Sequence, residues 1–358
     1  MRKVLFILKR REKPYSGDYG GECNVQPEGM STGLLNSATF VANMLAANGI
    51  PTKLVVVNDN NDIDREVHCY RPTDVIIEAL WVVPEKFDVL FPLHKNVNWV
   101  IRLHSAMPFI ANEGIAMRWI LDYLKYRNVS VSFNDDRIMY EFIHLFELKY
   151  GRMFPAVRRK ILYQPNYFPQ DFNAPHGIRG GEYINISCFG AIRPLKNQLA
   201  QAVAAILFAR KINRKLVFHI NGDRIEMKGS PVLHNIIDLF RHIQSQGHIL
   251  VMNPWASHEQ FVKLCSKMDI GMQVGFTETF NIIAADHLAG GTPIVVSPEV
   301  EWASRLFKAS PTDTADMVDK LMKAYKWPRF NVFTNRWGLM QFCERSKKIW
   351  LDQYKSCK

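Results

Sequence analysis

The strongest constraint on the fold is an alternation of short apolar, β-branched runs with longer stretches of helical periodicity. In the first half, five strands are predicted at 4–8, 53–57, 75–80, 99–103 and 129–133, with helices near 33–47, 84–91, 114–126 and 135–150. In the second half, five more strands are predicted at 184–189, 216–220, 249–252, 270–274 and 294–296, and helices follow them. This alternation is typical of parallel sheets covered by helices. The sequence therefore predicts an α/β chain with two Rossmann-like, doubly wound domains.

A break in the periodicity separates the two series. The segment 168–182 contains Pro169, Pro175 and three glycines, which is the composition of a linker. A chain of 358 residues is long enough for about two domains. We predict an N-terminal domain over 1–168, a linker over 169–183, a second domain over 184–332, and a C-terminal helix over 333–358 that packs across the domain junction.

Composition and cysteine usage exclude several classes of protein. With 47% hydrophobic and 22% charged residues the chain is not a disordered protein, and no apolar run approaches the ~18 residues of a membrane span. The six cysteines are scattered without a Cys-x-x-Cys pair, so neither a disulfide framework nor a zinc site is indicated. The apolar N-terminus is too short for a signal peptide. We expect a cytoplasmic protein.

The charge balance indicates an anionic partner. The formal net charge is +11, and such a surface attracts nucleic acid, anionic lipid headgroups or phosphorylated small molecules. Net charge alone does not choose among these three.

A long glycine-rich loop, 9–32, follows the first predicted strand and carries Arg10, Arg11, Tyr15 and Tyr19. Connections of this length are uncommon unless they are functional or disordered, so a lid over a substrate and a simple insertion both stay open. The loop ends at Gly33, where a helix begins. A helix N-terminus with a small-residue turn suits a phosphate.

Two cations follow the first strand of the second domain. A glycine, Gly190, ends that strand, and Arg193 and Lys196 lie three residues apart as the next helix begins. Cations held at a strand end can both reach one diphosphate and stabilise it as a leaving group. The alternative is a pair of solvated surface cations.

Two acidic residues mark the stretch from 269 to 297. Glu278 precedes a predicted helix, and Asp286 lies within that helix eight residues later. Carboxylates bind sugar and ribose hydroxyls because they accept several hydrogen bonds. A helix cap and a solvated aspartate would explain the same two residues.

These motifs together resemble a known family. Glu278 is followed by seven residues and then an acidic residue, and Gly-Thr-Pro-Ile-Val stands at 291–295. The sequence Gly-x-x-Arg-x-x-Lys-Asn lies upstream, at 190–197. This set of motifs is similar to that of the retaining nucleotide-sugar glycosyltransferases of family 4. The resemblance is good over 184–296 and thinner in the first half. It implies the two-domain GT-B fold and transfer of a sugar from a nucleoside-diphosphate sugar.

The resemblance also implies roles for individual residues. Glu278 would bind the donor sugar, Arg193 and Lys196 the diphosphate, and His104, at the end of a first-domain strand, the donor sugar. A structural histidine is the alternative for His104. The implied donor-binding residues are Gly33, Gly190, Thr279, Phe280, Asn281, Ile282 and Asp286. Asp286 stands where the family more often has Glu, and would hold the ribose hydroxyls.

No metal or cofactor is expected beyond the donor substrate. Asp62-Ile63-Asp64 resembles the metal-binding Asp-x-Asp of the other glycosyltransferase fold, but a polar turn precedes it. We interpret these residues as the cap of a helix, because Asp is favoured there. Trp255 is equally suited to stacking on a base and to packing at the surface.

The acceptor is left open by the sequence. The basic, tyrosine-bearing loop on a chain of net charge +11 fits DNA that carries hydroxylated bases. The bulky and basic residues over 140–159 fit a lipid or saccharide acceptor at an anionic membrane. A binding protein that lacks turnover is a further alternative, and a dehydrogenase is disfavoured because no Gly-x-Gly-x-x-Gly follows the first strand. No obligate protein partner is indicated.

Overall fold

The computed structural model describes residues 2–10 and 33–355, and these form two compact units. Over the described residues, the first unit comprises 2–10, 33–168 and 343–355, and the second comprises 169–342. Each unit has one parallel sheet with helices packed on it, so the predicted α/β class is confirmed.

The first unit contains six parallel strands in the order β2-β1-β3-β4-β5-β6. They are β1 Val4–Lys9, β2 Thr52–Val57, β3 Asp74–Glu78, β4 Asn98–Leu103, β5 Val129–Phe133 and β6 Ile161–Tyr163. The sixth strand was not predicted; it is three residues long, lies at the edge of the sheet, and has two residues that are only half-buried. Residues 4–8 of β1 are all buried, as expected for a strand covered on both faces.

Seven helices connect these strands. They are α1 Gly33–Ala47, α2 Asp62–Tyr70, α3 Phe87–Leu93, α4 Met107–Ile110, α5 Ala116–Tyr123, α6 Asp136–Tyr150 and α7 Phe154–Arg158. Short 3₁₀ turns at Pro84–Lys86 and Gly151–Met153 precede α3 and α7. Asp135 caps α6 by accepting a hydrogen bond from the Arg137 backbone N–H at 2.9 Å, which fixes the start of this helix.

The second unit contains five parallel strands in the order β11-β10-β7-β8-β9. They are β7 Tyr183–Ser187, β8 Lys215–Asn221, β9 Ile249–Asn253, β10 Ile270–Gln273 and β11 Ile294–Val296. The helices are α8 Gln198–Lys211, α9 Ser230–His242, α10 His258–Cys265, α11 Ile282–Ala289 and α12 Thr314–Lys326, with 3₁₀ turns at Pro194–Lys196, Gln244–Gln246 and Arg305–Phe307. A capping box of Ser257 and Gln260 opens α10.

The strand order of the second sheet reverses at β7. The chain runs outward from β7 through β8 to β9, and then returns to place β10 on the other side of β7. The carboxyl ends of β7 and β10 are therefore neighbours at a topological switch point. In open α/β sheets this is where ligands bind.

The last helix, α13, runs from Pro328 to Tyr354 and begins five residues before the predicted start. In the second unit, Phe342 packs on Phe280 with ring centroids 5.4 Å apart. In the first unit, Trp350 and Tyr354 are buried in a cluster with Phe6. Trp337, in the part of α13 that belongs to the second unit, is 59% exposed.

The segment 140–159 does not present the apolar face that a membrane helix requires. Phe142 and Phe146 are fully buried in the core of the first unit, while Leu148 and Met153 are exposed. The bulky residues over this segment thus mostly reflect core packing. Within 2–10 and 33–355, no helix is long and apolar enough to cross a membrane.

Candidate active site

The loop after β7 approaches the start of α11 closely. Gly190 has a φ of +113°, and a Cβ at this position would lie 2.8 Å from Cδ1 of Ile283. Its backbone N–H donates to Oδ1 of Asn221, at the end of β8, over 2.9 Å. Only glycine fits both the conformation and the space, because a side chain would collide with the first turn of α11.

Lys196 and Glu278 form an ion pair at the switch point. Lys196 lies at the end of the turn Pro194–Lys196, Glu278 lies in the loop between β10 and α11, and Nζ of the lysine donates to Oε1 of the glutamate. Their side chains are 11% and 9% exposed. A Cβ on Gly275 would lie 3.3 Å from that carboxylate oxygen, so the loop leaves no spare room behind the pair. The sequence placed both residues in the site, and the fold brings them together.

Arg193 has a different partner from Lys196. Its Nη1 lies 3.4 Å from Oε2 of Glu226, and Oε1 of Glu226 accepts from Nε of Arg224 over 2.8 Å. Arg224 in turn lies over the ring of Trp255, 4.6 Å from its centroid. The two cations predicted to share a diphosphate are thus bound to two separate carboxylates in this structure.

The N-terminus of α11 is built by Asn281. This residue has a φ of +55°, and its Oδ1 accepts from the backbone N–H of Ala284 over 3.0 Å. Its Nδ2 donates to Oε1 of Gln273 at the end of β10. The Asn281 side chain is therefore a helix cap. The first-turn N–H groups of a helix lack partners within it, so those of Ile282 and Ile283 can meet an anion.

The residues just before this cap form the anchor of the loop. Thr279 and Phe280 lie between Glu278 and the cap, and the Phe280 ring is buried beside Trp302. The Phe280 carbonyl oxygen accepts from Nε1 of Trp302 over 2.7 Å. The ring of Phe280 is packed against Trp302 and its carbonyl oxygen accepts a hydrogen bond. Phe280 would therefore contact a ligand through its backbone N–H.

Asp286 is only 2% exposed and lies against His258, the first residue of α10. Oδ1 of Asp286 is 2.8 Å from Nε2 of His258. Burial raises the pKa of Asp286, which His258 partly offsets. Burial also acts to lower the pKa of His258, but the hydrogen bond and charge of Asp286 outweigh it and raise that pKa. Direct contact of this carboxylate with a ribose stays a prediction from the resemblance.

His104 lies at the carboxyl end of β4 in the first unit, where it contacts Glu78. Nε2 of His104 is 2.5 Å from Oε2 of Glu78, and Nη1 of Arg102 is 3.0 Å from Oε1 of the same carboxylate. Arg102 also donates to the backbone oxygen of Gln164 and to Oδ1 of Asn166. Burial and the Arg102 charge lower the pKa of His104. Burial would raise the pKa of Glu78, but Arg102 and His104 lower it.

No protein-family model and no curated protein sequence matches the chain. Solved structures match it over nearly its full length. They include the sucrose-phosphate synthase of Thermosynechococcus elongatus (TM-score 0.66, 13% identity, 99% of this chain and 98% of that one) and an apo structure of OtsA (TM-score 0.64, 10% identity, 99% and 100%). The Escherichia coli structure described as trehalose-6-phosphate bound with UDP-2-fluoro glucose is also similar, with a TM-score of 0.63 at 10% identity and coverage of 99% and 100%.

The fold is GT-B. In this GT-B chain, Gly33 is the first residue of α1, as the sequence predicted, while the expected lid falls largely on residues 11–32, outside the described residues. The order of strands in each sheet explains why residues far apart in sequence, such as Lys196 and Glu278, meet at one edge.

Asp62 and Asp64 lie in the first turn of a helix, as expected, but the predicted cap is wrong, because the N-cap residue is Asn61 and no side chain caps this helix. Asp62 is the first residue of α2, and its carboxylate accepts from the backbone N–H of Asn58 over 2.9 Å. Asp64 pairs with His94 over 2.7 Å. Across the described part of the chain, no group of His, Cys, Asp and Glu has a geometry that could hold a metal ion.

Four residues that contact the predicted site residues or their partners were missed by the sequence analysis: Glu78, Arg102, Glu226 and His258. Glu78 and Arg102 each follow three consecutive apolar residues of a strand, at or next to its carboxyl end. A charge in such a position was a signal that could have been used, because an unpaired buried charge is costly. The contacts of Glu226 with Arg193 and of His258 with Asp286 depend on loop geometry. No sequence pattern of this kind indicates them.

Proposed function

We propose that this protein is a retaining glycosyltransferase that moves a sugar from a nucleoside-diphosphate sugar to an acceptor hydroxyl. The observation that carries the proposal is the Lys196–Glu278 ion pair beside the first turn of α11, at the switch point of a GT-B sheet. A cation and outward-facing N–H groups suit a diphosphate, and a carboxylate suits the hydroxyls of a sugar. The pair thus offers complementary groups to both halves of a donor.

The chemistry follows from the charges. As the bond between the sugar and the diphosphate breaks, negative charge develops on the departing phosphate oxygen. Lys196 and the positive end of α11 stabilise that charge, while Glu278 holds the sugar through its hydroxyls. One of the similar structures concerns glycosyl transfer with retention by trehalose-6-phosphate synthase, which supports the same stereochemical outcome here. We assign no protein nucleophile.

The names of the similar proteins favour a saccharide or sugar-phosphate acceptor. They include synthases of sucrose phosphate and trehalose phosphate, and a structure of TarM that contains α-GlcNAc-glycerol and UDP. An acceptor that bears a phosphate also agrees with the net charge of +11. A hydroxylated base in DNA rests on the net charge and on the sequence of the loop 9–32, and the similar structures give it no support. An acceptor at an anionic membrane loses the support of residues 140–159, whose phenylalanines are buried.

A donor and acceptor panel tests the proposal. The full chain is incubated with UDP-, GDP- and ADP-sugars, and release of the nucleoside diphosphate is measured alone and with three acceptors: sugar phosphates, duplex DNA containing hydroxymethylated bases, and anionic vesicles. We expect release from one donor class, accelerated by a sugar phosphate. Acceleration only by DNA or only by vesicles would identify the corresponding alternative acceptor. Donor binding without any release would instead indicate the binding protein that lacks turnover.

A further inference from the structure

Three exposed aromatic side chains lie on one face of α13, in the part that belongs to the second unit. Phe330, Phe333 and Trp337 are 49%, 66% and 59% exposed. Residues three and four positions apart on a helix are neighbours, so the three rings form one stripe, the aromatic face. Aromatic side chains have ~150–250 Å² each, so this face presents on the order of 300 Å² of apolar surface to solvent. Apolar patches of this size are often functional.

The opposite face of α13 is fixed against the second sheet. Asn331 is buried and forms two hydrogen bonds with the backbone of Ile294 in β11, over 2.9 and 2.8 Å. Asn335, one turn later, is also buried and accepts from the backbone N–H of Ser304 over 2.8 Å. Because these bonds set the rotation of the helix, the aromatic face cannot turn inward without breaking them.

The sequence around the aromatic face has charges of one sign. Residues 320–343 contain five Lys and Arg residues and no Asp or Glu. Three of the five already bond to carboxylates or to backbone oxygens: Lys320, Lys323 and Arg336. The other two, Lys326 and Arg329, are exposed and lie just before Phe330.

A third exposed cation belongs to a neighbouring turn. Arg305 begins the 3₁₀ turn that precedes α12, and the ring of Phe307 in this turn lies 6.5 Å from the ring of Phe330. Over the described residues 2–10 and 33–355, the side chains of Arg305, Lys326 and Arg329 form no ion pair. An anionic partner can therefore pair with all three.

Charge and shape together favour one kind of partner. In a symmetric dimer the same patch of both copies meets, so cations would face cations and oppose association. A nucleic acid could pair with the cations, but its bases stack on aromatic rings and gain little from Leu306, which is 52% exposed beside Arg305. An anionic membrane surface suits both features, because it offers lipid phosphates to the cations and acyl chains to the apolar side chains.

We propose that the aromatic face of α13, with the three exposed cations beside it, binds the surface of an anionic membrane. The rings enter the boundary between headgroups and acyl chains, and the cations contact the lipid phosphates. Trp337 suits this boundary because its ring is apolar and its N–H is polar. The binding needs no nucleotide sugar, so it goes beyond the proposed function and does not depend on it.

Sedimentation with lipid vesicles tests the proposal. The full chain is mixed with vesicles of equal parts phosphatidylglycerol and phosphatidylcholine, or of phosphatidylcholine alone, and the bound fraction is measured. We expect binding to the anionic vesicles that weakens as salt is added. The double variant Phe333→Ser/Trp337→Ser should lower the affinity at least about tenfold. Lys326→Gln and Arg329→Gln should each lower it about fivefold.

Matched variants outside α13 provide the controls. Leu148→Ser removes an apolar side chain that is 82% exposed on α6, and Lys263→Gln removes a cation that is 70% exposed on α10. Both should bind the vesicles like the wild type, and melting temperatures confirm that every variant is folded. Light scattering and titration with oligothymidylate measure self-association and nucleic-acid binding of the wild type and the double variant.

The outcomes separate this inference from the proposed function. Vesicle binding that is absent in the wild type, or unchanged in the double variant, overturns the inference. Self-association or oligothymidylate binding that disappears in the double variant, without vesicle binding, overturns it in favour of that partner. Release of nucleoside diphosphate is measured on the same preparations, so its absence overturns the proposed function and leaves the vesicle result to decide this inference.

Discussion

The two units each gather charged side chains at the carboxyl edge of their sheet, but they bury these charges to different degrees. In the first unit, Glu78 and Arg102 are fully buried, and the guanidinium is also bonded to a backbone oxygen and to Asn166. In the second unit, the side chains of Lys196 and Glu278 retain about a tenth of their exposure. The first pair is enclosed by protein, and the second has a boundary with solvent.

This difference separates a pair that maintains structure from a pair that a ligand can open. Parting Glu78 from Arg102 would leave a buried charge without compensation, which is strongly unfavourable. When Lys196 and Glu278 separate, each charge can bind a ligand that enters from solvent. A sugar diphosphate offers phosphate oxygens to the lysine and hydroxyls to the glutamate. We therefore expect the first cluster to control the free energy of unfolding and the second to control turnover.

Glu78→Gln should have the largest effect. The substitution leaves the Arg102 charge buried without its counter-ion, and we expect the free energy of unfolding to fall by about 3–5 kcal/mol. Urea denaturation measures this change. Glu259→Gln, which removes a carboxylate that is 80% exposed, is the matched control and should change stability by less than about 0.5 kcal/mol. Similar stability of the two variants would remove the distinction between the clusters.

Lys196→Met and Glu278→Gln should each reduce turnover by about 10²- to 10³-fold, because each removes a group that stabilises the transition state. Initial rates of nucleoside-diphosphate release at saturating donor provide the measurement. The exposed pair of Lys263 and Glu259, joined over 2.7 Å, gives the controls Lys263→Met and Glu259→Gln. Wild-type rates in both site variants would show that the ion pair is not part of the catalytic machinery.

Gly190→Ala should cost about 1–3 kcal/mol of stability, since it places a side chain at a φ of +113° and against Ile283. Donor affinity should fall as well, because the displaced residue belongs to the first turn of α11. Gly114→Ala is the control, as no atom lies within 4 Å of its added Cβ. The interpretation of Gly190 would be wrong if the two alanine variants melted at the same temperature.

The smallest effects concern pH, and they should have opposite signs in the two units. The pKa of His104 is lowered from 6.5 in the folded protein, so the unfolded chain is protonated at a higher pH than the folded one. The free energy of unfolding therefore falls as the pH drops below about 6.5. The pKa of His258 is raised from 6.5, so its contribution is fully present below 6.5 and is lost as the pH rises through the folded value. Denaturation at several pH values should show a flatter acid limb in His104→Gln and a flatter neutral limb in His258→Gln. Identical pH profiles for both variants would contradict this assignment.

Much of the fold could be predicted because strands such as β1, β3, β10 and β11 are buried on both faces, and most strands read as apolar runs. All ten predicted strands appear within a few residues of their expected bounds, whereas β6, a three-residue strand at the edge of its sheet, was missed. The meeting of Lys196 with Glu278, 82 residues apart, could be anticipated from the doubly wound topology. The bond from His258 to Asp286 could not, because it depends on how the loop before α10 bends.

Burial was harder to predict than secondary structure. Trp337 and Phe142 look alike in sequence as bulky residues on helices, yet Trp337 is exposed and Phe142 lies in the core. Helical periodicity gives the face on which a residue lies, but it does not say whether another element covers that face. The strand pattern is limited in a similar way. It placed Glu78 and Arg102 in strands, but it did not show that their side chains are buried and paired with each other.

The long helix α13 has a consequence for how the chain is made. Trp350 and Tyr354, close to the end of the described chain, complete a core that also contains Val4 and Phe6 at its beginning. A ribosome releases residues 4–6 long before residues 350–354, so the first unit cannot complete this cluster until residue 354 has been synthesised. The second unit, by contrast, has all of residues 169–342 available earlier. Of the two units, the one whose strands are translated first is therefore the one that completes its core last.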